Sequence, residues 1–160
     1  MSRLLNDAVG ELAKLPSVGR RTALRLALHL LHREPEEVVA LADALTRFRN
    51  EVRFCSRCNN LSDGEVCPIC SDPRRDRTTV CVVEHVGDVL SIENTNQYNG
   101  LYHVLGGVIS PMQGIGPSDL KIDLLVENIA RGEIKEVILA IGATVEGETT
   151  LFYIMRRLAQ

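Results

Sequence analysis

Cys55-Ser56-Arg57-Cys58 and Cys67-Pro68-Ile69-Cys70 are two C-x2-C pairs with eight residues, Asn59 to Val66, between them. They lie in a stretch, Phe54 to Arg77, made largely of Cys, Asn, Asp, Gly, Pro and Arg, with almost no apolar residues from which to build a core. Something other than hydrophobic burial has to hold such a segment. Two thiolate pairs at this spacing can close a tetrahedron around Zn2+, and the bound ion supplies the missing stability. Free or redox-active thiols are the alternative, but a redox C-x-x-C normally occurs singly beside a βαβ pattern. Four thiolates leave no coordination position open for water, so one zinc ion held by Cys55, Cys58, Cys67 and Cys70 is predicted to be structural, not catalytic. The fifth cysteine, Cys81, lies inside an apolar run and reads as a small core residue.

The 160 residues are enough for one moderate core or two small ones, and the core-poor cysteine segment favours two. With 45% hydrophobic and 24% charged residues, a disordered or collagen-like chain is excluded. The first residues lack the apolar region of a secretory signal, and no stretch approaches the length of a membrane span, which reads as a cytosolic protein. A disulfide framework is disfavoured there, and an odd number of thiols, five, leaves one unpaired in any case. The formal net charge of -3 hides an asymmetry: residues 1–33 hold six Lys/Arg against two Asp/Glu, and residues 81–160 hold five against ten. A basic face on an acidic body is expected.

Apolar residues recur at helical spacing over Leu4, Leu5, Val9, Leu12 and Ala13, and again from Thr22 to Leu31. A third helix is predicted from Pro35 to about Val52, with Val38, Leu41, Leu45 and Phe48 facing a core. Beyond the cysteines, Thr79 to Val83 and Glu136 to Ile141 are β-branched runs of buried-strand type. Helices are expected at Val86–Asn94, Ser118–Ile129 and Thr149–Leu158. Strands alternating with helices imply an α/β domain with a mostly parallel sheet. The glycines at 142 and 147 suit tight turns, and the Gly- and Pro-containing loop from Gly106-Gly107 to Gly116 is expected to be mobile.

Between the first two helices, Leu15-Pro16-Ser17-Val18-Gly19-Arg20-Arg21 reads as a tight turn whose backbone N–H groups can point at a phosphate. Arg21 and Arg25 are one helical turn apart, off the apolar stripe of Ala23, Ala27 and Leu30. Gly19, Arg20, Arg21 and Arg25 are therefore the candidate contacts to nucleic acid, through phosphate and not base edges. A solvated basic helix in an ordinary bundle is the competing reading.

This turn resembles a helix-hairpin-helix. Followed by four cysteines and an α/β domain, it resembles the RecR family of recombination mediators, and the resemblance extends through the whole chain. It rests on Leu15 to Gly19, Cys55 to Cys70, Asp72-Pro73-Arg74-Arg75-Asp76, Gly100 to Gly107, Ile109-Ser110-Pro111-Met112 and Ala143-Thr144-Val145-Glu146-Gly147, in that order. It implies an α+β protein of three parts: a helical helix-hairpin-helix region at 1–53, a four-cysteine zinc finger at 54–77, and a Toprim α/β domain with a mostly parallel sheet at 78–160.

The resemblance also implies a DNA-binding protein of the bacterial cytoplasm, associated with the nucleoid, that works with RecO and RecF to place RecA on single-stranded DNA. Self-association, as a dimer through the N-terminal region and a ring-like tetramer, goes with it. Toprim enzymes hold Mg2+ with a Glu after the first strand and an Asp-x-Asp after a later one. Here Glu84 and Asp88 follow the first strand, but Ala143-Thr144-Val145-Glu146-Gly147 has no Asp-x-Asp. Glu84, Asp88 and Glu146 are then expected to serve partner binding more than catalysis, and a Mg2+-dependent nuclease or primase-like enzyme is the alternative. RecR relatives continue with further strands and a Gly-rich acidic segment, so the chain ending at Gln160 is expected to be a shortened form whose tetramer, but not its N-terminal dimer, is in question.

Overall fold

The computed structural model describes residues 2–159, which divide between Glu51 and Val52 into two compact units. In the first, α1 (Arg3–Leu12) and α2 (Arg20–Leu31) pack around Val9, Ala23 and Ala27, with Leu5, Leu12 and Val18 at the margin. Two alanines one turn apart let the helices approach closely. The connection carries Pro16 and then Ser17 at φ 64°, closed by Val18 N–H donating to Leu15 O at 3.1 Å. Proline second and a positive φ third is the type II turn pattern.

The third helix, α3 (Pro35–Glu51), forms where expected, yet none of its residues is buried. Val38 is half-buried, while Leu41, Leu45 and Phe48 are 46%, 62% and 60% exposed. The periodicity is real, but it faces no core among the described residues.

The second unit is built on a three-stranded parallel sheet in the order β4-β3-β5, with β3 at Asp76–Val83, β4 at Gly100–Val104 and β5 at Glu136–Ala140. One face packs Val80, Val82 and Leu105 against α6 (Ile122–Ala130) and α7 (Val145–Leu158) through Ile122, Leu125 and Ile154. The other packs Cys81, Val83, Tyr102 and Val104 against Val89 of α5 (Val86–Glu93), so Cys81 is the small core residue its position suggested. The central strand is three residues longer than predicted. The last strand departs from its expected burial: exposed Glu136, Ile138 and Ala140 alternate with half-buried Val137 and Leu139, because β5 is an edge strand with one face uncovered.

The Gly106–Gly116 loop is anchored instead of loose. Ile109 N–H donates to the buried Thr150 Oγ1 at 2.8 Å, and Ser110 and Ile115 bridge across the loop. The helix α7 starts four residues before its predicted position because Thr144 caps it, its Oγ1 accepting from Gly147 N–H at 3.0 Å. Gly147 is there for space: a Cβ would run into the Gly142 carbonyl oxygen. Gly147→Ala is expected to cost about 2 kcal/mol through backbone displacement, read as a lower urea midpoint. An unchanged midpoint would mean that the turn relaxes freely.

Candidate metal centre and nucleic-acid interface

The cysteine segment opens with β1 (Arg53–Phe54) pairing antiparallel with β2 (Leu61–Ser62), followed by the short helix α4 (Pro68–Ser71). Between the strands the chain reverses through Asn59 at φ 60°, with Cys55 N–H donating to Asn60 O at 2.7 Å. All four thiols are buried, and their sulfurs lie within 4.8 Å of one another. Among the described residues they are the only group of three or more His, Cys, Asp or Glu side chains whose ligand atoms converge in this way.

The donor set fits zinc. Tetrahedral Zn–S bonds of about 2.3 Å put sulfurs about 3.8 Å apart, and Cys58 Sγ lies 3.6 Å from Cys67 Sγ. Backbone N–H groups already point at the sulfurs, Cys67 N–H at Cys55 Sγ (3.3 Å) and Cys70 N–H at Cys67 Sγ (3.4 Å). The thiols are strongly coupled: hydrogen bonding with Cys58 pulls the Cys67 thiol down, and the same contact pushes Cys58 up. A divalent cation relieves that competition by taking the place of the shared protons.

The helix-turn-helix of the first unit leaves the start of α2 open. Gly19 is its N-cap and offers no side-chain acceptor, and no acidic residue occupies the first turn. The leading N–H groups of α2, beginning with those of Arg20 and Arg21, are thus unclaimed by a cap. Arg20, Arg21 and Arg25 are all exposed, and Arg21 and Arg25 lie on the face opposite the buried Ala23 and Ala27.

The RecR helix-hairpin-helix family model matches residues 5–49, the RecR zinc finger domain of four cysteines matches 52–72, and the Toprim domain matches 78–160. A "Recombination protein RecR" of Phocaeicola vulgatus is 59% identical over 157 residues, covering 98% of this chain and 77% of the relative. Those of Bacteroides thetaiotaomicron (56% over 157 residues) and Cytophaga hutchinsonii (53% over 158) share the same coverage, 98% and 77%. The chain belongs to the RecR family. The four cysteines are accordingly the family's zinc finger, with Cys55, Cys58, Cys67 and Cys70 placed to hold one ion.

In this RecR chain the Toprim-region carboxylates are engaged locally. Glu84, just past β3, accepts from Gly142 N–H just past β5 at 2.6 Å. Asp88 accepts from His85 N–H at 2.8 Å and so caps α5. Glu146 lies in the first turn of α7, where a negative charge suits the helix N-terminus. The three do not converge on a point where a cation would sit.

Sequence reasoning missed the group that ties this unit together. Arg75 forms an ion pair with Glu93 of α5, and Tyr102 of β4 donates its hydroxyl to Glu93 Oε1 at 2.7 Å. The Arg75 guanidinium holds the Glu93 carboxyl below the usual range. The arginine pair of Asp72-Pro73-Arg74-Arg75-Asp76 is visible in the sequence, but the Glu93 partner of Arg75 lies 18 residues away. No helix of the described residues is long and apolar enough to cross a membrane.

Proposed function

We propose that this RecR-family chain is a DNA-binding recombination mediator that works with RecO and RecF to load RecA on single-stranded DNA and performs no catalysis itself. The uncapped start of α2 beside Arg20, Arg21 and Arg25 carries the reading. Exposed guanidiniums beside free backbone N–H groups, with Gly19 keeping the approach open, suit phosphate oxygens of any sequence. The names of the curated relatives, recombination proteins, point to the same process. Glu84, Asp88 and Glu146 support a binding role over Mg2+ chemistry, since two of them are committed as hydrogen-bond acceptors to backbone N–H groups. They form, on this reading, part of the surface offered to protein partners.

The chain would act as a dimer through the first unit. Val38, Leu41, Leu45 and Phe48 recur at three- and four-residue steps along α3, the seam spacing of helices that pair with one another. A seam this exposed, on a helix without a buried residue, is completed most simply by the same seam on a second copy.

Fluorescence anisotropy with labelled single-stranded DNA, run beside light scattering, tests both readings. Arg21→Glu/Arg25→Glu should bind about a hundredfold more weakly, at roughly tenfold per lost charged contact. Its slope of log affinity against log salt should be shallower by about 1.5. Leu45→Glu/Phe48→Glu should convert a dimer to a monomer. Unchanged affinity in the arginine variant would overturn the DNA-binding face, and Mg2+-dependent DNA cleavage abolished by Glu84→Gln would overturn the non-catalytic reading in favour of a Toprim nuclease.

A further inference from the structure

A cavity of about 500 Å³ lies in the second unit between the zinc finger, α6 and the starts of β3 and β4. Three arginines from three separate segments line it: Arg57 from the first cysteine pair, Arg77 from β3 and Arg131 after α6. Glu133 is the one acidic residue of the lining, so the balance is positive. None of the three arginines forms an ion pair among the described residues. Arg77 gives one N–H to the Cys70 carbonyl, at 3.3 Å, which leaves the rest of its guanidinium available.

The inner wall is different in character. Leu101, Leu125 and Ile134 supply apolar surface, and His103, 1% exposed, lines the same space. His103 Nε2 lies 2.7 Å from the Lys121 carbonyl oxygen, which can only accept, so Nε2 carries the proton. That leaves Nδ1 as a bare acceptor, and it is a buried atom without a hydrogen-bond partner. Buried polar groups are rarely left in this condition.

We infer that this cavity takes a nucleotide, its phosphate held by Arg57, Arg77 and Arg131 and its base or sugar set against the apolar wall beside His103. The volume lies within the usual range for small-ligand sites, about 300–1,000 Å³. Guanidinium groups grip phosphate oxygens in pairs, which gives orientation as well as charge. The competing role for Arg57 and Arg77 is to balance the negative charge of a zinc tetrathiolate. Arg131 comes from outside the cysteine segment of the sequence, after α6, and discriminates between the two.

Isothermal titration of the zinc-loaded chain with ADP, adenosine and pyrophosphate tests the inference. ADP should bind more tightly than either fragment, and Arg131→Ala, an exposed position, should weaken it about tenfold with zinc content and melting unchanged. No heat with ADP, or equal binding in the wild type and Arg131→Ala, would overturn the proposal and leave water and charge balance as the contents of the cavity. The source of the nucleotide is read in the Arg21→Glu/Arg25→Glu background, where the α2 face no longer dominates DNA binding. Displacement of ADP by a 5′-phosphorylated oligonucleotide, but not by its 5′-hydroxyl twin, assigns the site to a strand terminus; displacement by neither assigns it to free nucleotide.

Discussion

Stripping the metal with a chelator should unfold the segment from Arg53 to Ser71 while leaving β3 folded. A structural zinc bound by thiolates contributes on the order of 10 kcal/mol to a small element of this kind. Nothing else in the segment can replace it, since apart from the four sulfurs the associated packing is limited to half-buried Val66 and Ile69. Besides the bond from Arg77 to the Cys70 carbonyl, three shorter hydrogen bonds tie the segment to the rest of its unit. Val104 N–H donates to Cys58 O at 2.8 Å, Asn59 Nδ2 donates to Val104 O at 2.9 Å, and Asn128 Nδ2 donates to Arg57 O at 2.6 Å. Amide hydrogen exchange is the measurement: the Cys55, Ser56 and Val104 N–H groups should lose protection with the metal, and Val82 should keep it. Retained protection at Cys55 and Ser56 in chain shown by metal analysis to be zinc-free would sink this account.

Acidification should destabilise the second unit through His103. Burial pushes its imidazole down from the ordinary 6.5 to about 4, against a smaller opposing effect from the hydrogen bond to Lys121 O. As pH falls below 6.5 the unfolded chain takes up a proton that the folded chain refuses. Stability is therefore unaffected by this group above pH 6.5 and is lost progressively down to about 4, by up to about 3 kcal/mol. Following the His103 ring protons by NMR separates this effect from acid release of zinc. A midpoint near 6.5 in the folded protein would contradict the burial argument. His103→Gln should flatten the dependence of urea stability on pH over the same range.

The parts of the fold most legible in the sequence are those set by local spacing. The cysteine pairs and the α1–α2 hairpin are of this kind, because ligand geometry and helical period act over a few residues. β4 belongs to a recognisable motif but carries no strand signature, since Leu101, Tyr102, His103 and Val104 mix polar and apolar residues without alternation. In the structure both faces of that strand are covered, and His103 has a carbonyl to bond, so polarity is no guide to exposure there. The seam on α3 is legible as a period, but no period states which molecule will cover it. Glu84 illustrates a further limit: its partner is a backbone N–H 58 residues away, and backbone donors leave no signature in residue type. The proposed nucleic-acid face lies between these cases. Proline, serine and glycine announce the turn, whereas the open N-terminus of α2 depends on a cap that glycine cannot supply.

The zinc finger also occupies the outer flank of β4, where Cys58 O and the Asn59 side chain claim both polar groups of Val104. A strand at the end of a sheet otherwise exposes a ladder of unpaired groups that invites another chain. On the opposite flank β5 has no such cover among the described residues. Metal loss would therefore bare the outer border of β4, and a bared border invites pairing between molecules. Under zinc starvation the failure to expect is a gradual fall in solubility, set by protein concentration, before any loss of affinity for DNA.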